Sequence, residues 1–251
     1  MTTQELMIQS TRGIKLAATF YPSKDPRNKD KAIIFCHGFT SNKDRERHIQ
    51  NAETLHQASY TVIRFDFGGC GKSEGADILV AGQVEDLHSI IAFLKTKGFS
   101  RFALVAESLG ALIALKSFNK DIITIVLWVP VTDEVDSTLE KFIIKRNESV
   151  TEHNEDFVVH KKDGRMHKIP KNYFEERQTI NQQELCENMT CPVLIIHGDE
   201  DTTVPLEMSK RAIQYFSRES KLEIIEGMDH KLKGFEDKVI ELTKEWMIKH
   251  F

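Results

Sequence analysis

The chain has 251 residues, 40% of them hydrophobic and 29% charged, with a formal net charge of −4. That composition suits a globular protein able to bury a substantial core, and its acidic balance argues against a broad nucleic-acid-binding face. No apolar run approaches the ~20 residues that cross a bilayer. The opening MTTQELMIQS lacks the basic start and apolar stretch of a signal peptide, so a cytoplasmic location with no membrane partner is expected.

In chain order, ELMIQSTRGIKLAATFYP suggests a β-hairpin with Gly13 near its turn. KAIIFCHGF is a short apolar run ending in a glycine turn, followed by a polar helix over roughly Asp44 to Ala58. YTVIRFDFGGCGKSEG is a strand running into a glycine-rich loop. In the next segment Val84, Leu87, Ile91 and Leu94 fall on one helical face, and Gly98 is a plausible stop. RFALVAE is a strand, LGALIALKSF an apolar helix, and IITIVLWVPV a strand whose continuous apolarity suggests burial on both faces. PVLIIHGDED, PLEMSKRAIQYF and SKLEIIEG continue as strand, helix and strand, and FEDKVIELTKEWMIKHF is an amphipathic final helix.

This alternation predicts an α/β fold with a parallel sheet covered on both sides. The rhythm breaks once, over residues 132–186. That stretch is polar and irregular apart from a hairpin turning near Asp163-Gly164. It is expected to be a cap over the carboxyl edge of the sheet, where such sheets hold ligands. Residues 1–131 and 187–251 would then form the core.

The junction Ala106-Glu107-Ser108-Leu109-Gly110 places a hydroxyl between a strand and a helix. A tight turn there exposes the serine, and small residues two places either side let strand and helix pass closely. Ala106 stands where the usual motif has glycine. A serine needs a base to remove its proton. His230 follows a later strand at the same sheet edge, and Asp201 follows the strand before that, so it can hold the imidazole's tautomer. Asp199, Glu200 and Asp229 compete with Asp201. Asp199 and Asp229 read as turn carboxylates. The backbone N–H groups of Leu109 and Phe39 are the candidate oxyanion donors, with His37 and Gly38 shaping the second turn.

Cys36, Cys70, Cys186 and Cys191 form no disulfide framework and read as small buried or loop thiols. His48, His56, His88, His153, His160 and His167 show no metal-ligand spacing and read as surface or turn residues, so neither a metal nor another cofactor is expected. Asp66 and Ser73 should make turn hydrogen bonds, and Glu107 should be a buried or semi-buried acid with a hydrogen-bonded partner. Trp128, Phe142, Tyr173 and Phe174 are candidates either to line an acyl or alcohol pocket or simply to pack cap against core.

The stretches His37–Phe39, Asp66–Gly75, Ala106–Gly110, His197–Pro205 and Gly227–His230, taken together and in this order, resemble the α/β-hydrolase superfamily. The nearest likeness is to bacterial carboxylesterases with a small cap, including cinnamoyl and feruloyl esterases and members labelled serine aminopeptidase-like. The resemblance implies a mostly parallel eight-stranded sheet with a cap inserted after the sixth strand. Ala106 in the elbow and Cys70, where relatives often carry histidine, depart from the pattern and leave the subfamily open. The expected activity is a serine hydrolase acting on a small-molecule carboxylic ester through an acyl-enzyme. A thioesterase, an acyltransferase or an aminopeptidase-like amidase would use the same residues, and a non-catalytic binding protein is the reading from another class. Oligomeric state stays open, a homodimer being one option.

Overall fold

The computed structural model describes residues 3–75, 77–161 and 164–251. The chain opens with a hairpin of β1 (Gln4–Gln9) and β2 (Lys15–Tyr21), and Gly13 takes a φ of 80° in its turn. Then follow β3 (Lys31–Cys36), α1 (Glu46–Gln57), β4 (Thr61–Phe65), α2 (Val80–Thr96), β5 (Arg101–Glu107), α3 (Leu109–Lys116) and β6 (Ile122–Trp128). After β6 come α4 (Ser137–Asn147), β7 (Ser149–His153), β8 (Asp156–His160), β9 (Met166–Ile169), α5 (Lys171–Gln178) and α6 (Gln182–Glu187). The chain closes with β10 (Val193–Gly198), α7 (Leu206–Ala212), β11 (Lys221–Ile225) and α8 (Glu236–His250).

One eight-stranded sheet runs in the order β1-β2-β4-β3-β5-β6-β10-β11. Only the pairs β1–β2 and β2–β4 are antiparallel. The helical crossovers divide the packing into two cores. On one face Phe102, Leu104 and Ala106 of β5 pack in the core that includes α2 and α3; on the other, Ala103 and Val105 join α1 and α8. The continuous apolarity of β5 is therefore two alternating faces, each buried. The same parity aims Glu107 at the α1 face.

Residues 132–186 hold more regular structure than their polarity suggests. β7, β8 and β9 form a separate three-stranded antiparallel sheet, with α4, α5 and α6 around it. The expected hairpin pairs His160 with Met166; Gly164 has a φ of 86°, and Asp163 lies outside the described residues. This segment lies against loops at the carboxyl edge of the large sheet. Ile78 N–H donates to Lys168 O at 2.7 Å, and the Glu176 carboxylate accepts the Val80 and Ala81 N–H groups at the start of α2. Such donors have no partner within their own helix.

All four cysteines are free and buried. Desolvation pushes the thiols of Cys70, Cys186 and Cys191 up to about 12, and that of Cys36 up as well. Among the described residues no helix is long and apolar enough to cross a membrane.

Candidate active site

Ser108 joins β5 to α3 with φ 54° and ψ −119°, a conformation that turns the side chain out of the strand. The turn is possible because Gly110 has no side chain: a Cβ there would stand 2.5 Å from the carbonyl oxygens of both Cys36 and His37. Ala106 is fully buried in the core beside α3, so its methyl fits where the usual motif has glycine.

His230 arrives on the loop after β11. Its Nδ1 donates to Asp201 Oδ2 at 2.7 Å, which leaves Nε2 as the acceptor for the Ser108 hydroxyl at 3.0 Å. The approach depends on Gly198 at the end of β10, where a Cβ would lie 1.9 Å from Met228 O. Asp201 Oδ1 accepts the N–H groups of Thr203 and Val204, both at 2.8 Å. Burial would push this carboxyl up, but hydrogen bonds from His197, His230 and Val204 outweigh it and hold the group well below the usual carboxylate range. Asp199 instead accepts Gly227 N–H at 2.7 Å, and Asp229 accepts Lys231 N–H at 2.9 Å, so both serve their own turns. The side chain of Glu200 is exposed.

Leu109 N–H begins α3. The turn carrying Phe39 lies against the serine: a Cβ on Gly38 would be 3.2 Å from Ser108 Cβ. Neither N–H bonds to another described residue. His37 holds this turn by donating from Nδ1 to Gly38 O at 2.8 Å and accepting Phe67 N–H on Nε2 at 3.1 Å. Desolvation pushes its pKa from an ordinary 6.5 down to about 3, in keeping with a neutral ring wedged between two loops. Asp66 accepts the N–H groups of Lys43 and Lys72, and Ser73 donates to Asp66 O, so both are turn residues.

Two histidines differ from expectation. His48 and His167 are buried, not surface residues. His48 Nε2 donates to Glu107 Oε2 at 2.6 Å, and Arg47 grips the same carboxylate from Nε at 3.0 Å and through Nη2. The physical reason is strand parity: Glu107 faces α1, and α1 answers with a basic pair. Burial opposes ionisation of Glu107, yet His48 and Arg47 hold its pKa low. His167 Nδ1 donates to Gly69 O at 2.7 Å, tying β9 to the glycine-rich loop. His197 was read only as part of a motif. It stands behind Asp201, with Nε2–H shared between Val204 O at 3.0 Å and Asp201 Oδ2 at 3.2 Å. Its four-residue spacing from Asp201 was the one available signal.

The aromatic candidates separate. Trp128 faces α8, donating to Thr243 Oγ1 at 3.0 Å, because the parity of β6 turns it away from the serine. Phe142 projects from α4 with 60% of its surface exposed. Phe174 is buried against Phe157. Tyr173 alone among them reaches the serine's neighbourhood, its ring 5.8 Å from that of Phe39. Among the described residues no group of three His, Cys, Asp or Glu side chains is placed to hold a metal.

Sheet order, strand-to-helix elbow and flanking helices define the α/β-hydrolase fold, as the motifs led us to expect. Residues 27–123 match the family described as serine aminopeptidase, S33. The structure superposes on Est1E from Butyrivibrio proteoclasticus, solved with ferulic acid bound, with a TM-score of 0.79 and 24% identity over 98% of this chain and 99% of that one. It superposes on alpha/beta hydrolase domain-containing protein 10 from mouse with a TM-score of 0.75 and 21% identity, over 98% of this chain and 99% of that one. In sequence the chain is 25% identical to the mitochondrial palmitoyl-protein thioesterase ABHD10 of Rattus norvegicus over 219 residues, 84% of this chain and 72% of that protein.

Proposed function

We propose that the protein is a serine hydrolase that cleaves carboxylic esters or thioesters through an acyl-enzyme. The observation that carries this reading is the unbroken hydrogen-bond chain from the Ser108 hydroxyl through His230 to Asp201, at 3.0 and 2.7 Å. His230 Nε2 takes the hydroxyl proton as Ser108 Oγ bonds to the acyl carbon. The negative oxygen that forms is held by the N–H groups of Phe39 and Leu109, preorganised donors that strengthen as charge develops. Collapse breaks the bond to the alcohol or thiol, which leaves with the proton from His230. Water then attacks the acyl-serine, gives His230 its proton, and releases the acid as the proton returns to Ser108. Asp201 stays ionised throughout and stabilises the imidazolium. Residues 132–186 serve as the cap over this site, and residues 1–131 and 187–251 as its core.

The likeness to Est1E supports an ester; the likeness to a palmitoyl-protein thioesterase supports a thioester. The test is turnover of p-nitrophenyl butyrate and of palmitoyl-CoA by wild type and by Ser108→Ala, together with labelling by a fluorophosphonate. Ser108→Ala should lose about 10⁴-fold or more in kcat and all labelling. Unchanged turnover in that variant would end the assignment. The ratio of rates on the two substrates separates the leaving groups.

A further inference from the structure

Thr40 follows the proposed oxyanion donor Phe39, and its backbone is unusual. It sits third in a turn closed by Ser41 N–H to Gly38 O at 3.2 Å, with φ 47°. Glycine or asparagine normally fills a left-handed turn position, and a β-branched residue there is strained. Such strain persists only where surrounding contacts over-determine the geometry.

Those contacts come from the 132–186 segment. Thr40 is 3% exposed, and Lys161 Nζ donates to its Oγ1 at 2.8 Å. The hydroxyl in turn faces Glu148 Oε1 at 3.4 Å, and Lys161 is ion-paired with that same carboxylate. The pair is largely enclosed, with side-chain exposures of 18% and 25%. Tyr173 presses on the Phe39 ring from the same segment. Within the core, this turn is held at Gly38 O, which accepts from Ser41 N–H and His37 Nδ1, and at Ser41 Oγ, which accepts from Arg45 Nε at 3.3 Å; none of these bonds reaches Thr40.

We infer that Lys161, with Glu148, is a positioning residue for the oxyanion hole. It acts through the Thr40 hydroxyl to fix the turn in which Phe39 N–H points at the developing charge. The segment over the site thereby sets the chemistry as well as covering it. This rests on the serine-hydrolase reading above.

Because the inferred role is exerted in the transition state, its loss should appear in kcat. Losing an oxyanion donor outright costs roughly 10²–10³-fold, so a donor displaced but present should cost about 10-fold or somewhat more. Lys161→Met should lower kcat by about that factor on p-nitrophenyl butyrate, with KM changed less than about twofold. Thr40→Val, which keeps the β-branch and removes the hydroxyl, should match it, and the double variant should lose no more than either single, as members of one network do. Lys161→Arg and Thr40→Ser, which keep donor and acceptor, should recover most of the rate. Thermal midpoints measured alongside identify a variant that fails by unfolding. In that event the second single variant carries the test. A loss confined to KM, multiplicative losses in the double variant, or wild-type kcat in Lys161→Met would overturn the inference. If Ser108→Ala kept full activity, the hydrolase reading itself would fail, and that result is separate from any of these.

Discussion

Glu107, the residue before Ser108, carries a charge whose role lies in the folded state itself. It is buried between Arg47 and His48, and its carboxyl is held below the ordinary 4.5. Unfolding frees it to bind a proton more easily, so its contribution to stability is full above about pH 4.5 and is lost as pH falls below that. His37 acts in a higher window. Its folded pKa is depressed to about 3 from 6.5, so its contribution is full above 6.5 and declines as pH drops towards 3. Urea unfolding followed from pH 7 to pH 3.5 should therefore show stability falling in two overlapping stages. Glu107→Gln should make the lower stage shallower, leaving the share that Asp201 contributes, and, by leaving Arg47 without its anion, cost about 3 kcal/mol at pH 7. An unaltered lower stage in that variant would show that the carboxylate is not what titrates.

At the scale of elements, the site exists because loops from four strands approach more closely than side chains would allow. Gly198 carries the tightest approach, with Met228 O where its Cβ would be. Gly198→Ala must push the loop after β11 outward, and that loop carries His230 two residues beyond Met228. It should cost about 1–3 kcal/mol of stability and much of the activity, read as a lower thermal midpoint and slower ester turnover. Activity equal to wild type would mean the loop has slack to absorb a methyl. These strand-end positions explain why Ser108, Asp201 and His230 were legible in the sequence. Each lies at or just past the carboxyl end of a clear apolar run, and parallel strands bring such ends to one edge. The partners of Glu107 were not legible, because they depend on how α1 docks on the sheet, a long-range fact that spacing does not encode. The side of the sheet that Trp128 faces was not legible for a related reason: its strand looks equally apolar on both faces, so its parity becomes visible only once the register to α8 is known.

For the whole molecule, the main limit on legibility was residues 132–186. The strand β7 is almost wholly exposed, as its sequence SVTEH suggests, and α5 buries only Tyr173, Phe174 and Arg177. Segments that bury so little carry weak periodicity, and their order comes from specific polar pairs such as Arg177 with Glu140 at 3.2 Å. The eight-stranded sheet, by contrast, was announced by alternation along most of the chain. It places helices on both faces and leaves the carboxyl edge to the polar segment. Tyr173 and Lys161 of that segment, which carries its own three-stranded sheet, reach the turn of Phe39 and Thr40.

The four thiols offer a clock for opening of this protein. With every sulfur enclosed and its proton held tightly, native molecules should ignore iodoacetamide at pH 8, since the attacking species is the thiolate. Alkylation can then proceed only through molecules that have momentarily come apart. Cys36 and Cys70 lie by the loops that frame the serine, whereas Cys186 and Cys191 lie where the chain returns to the large sheet. Peptide mass mapping after timed exposure would tell which of the two regions loosens first, and immediate modification of the untouched fold would contradict the enclosure described above.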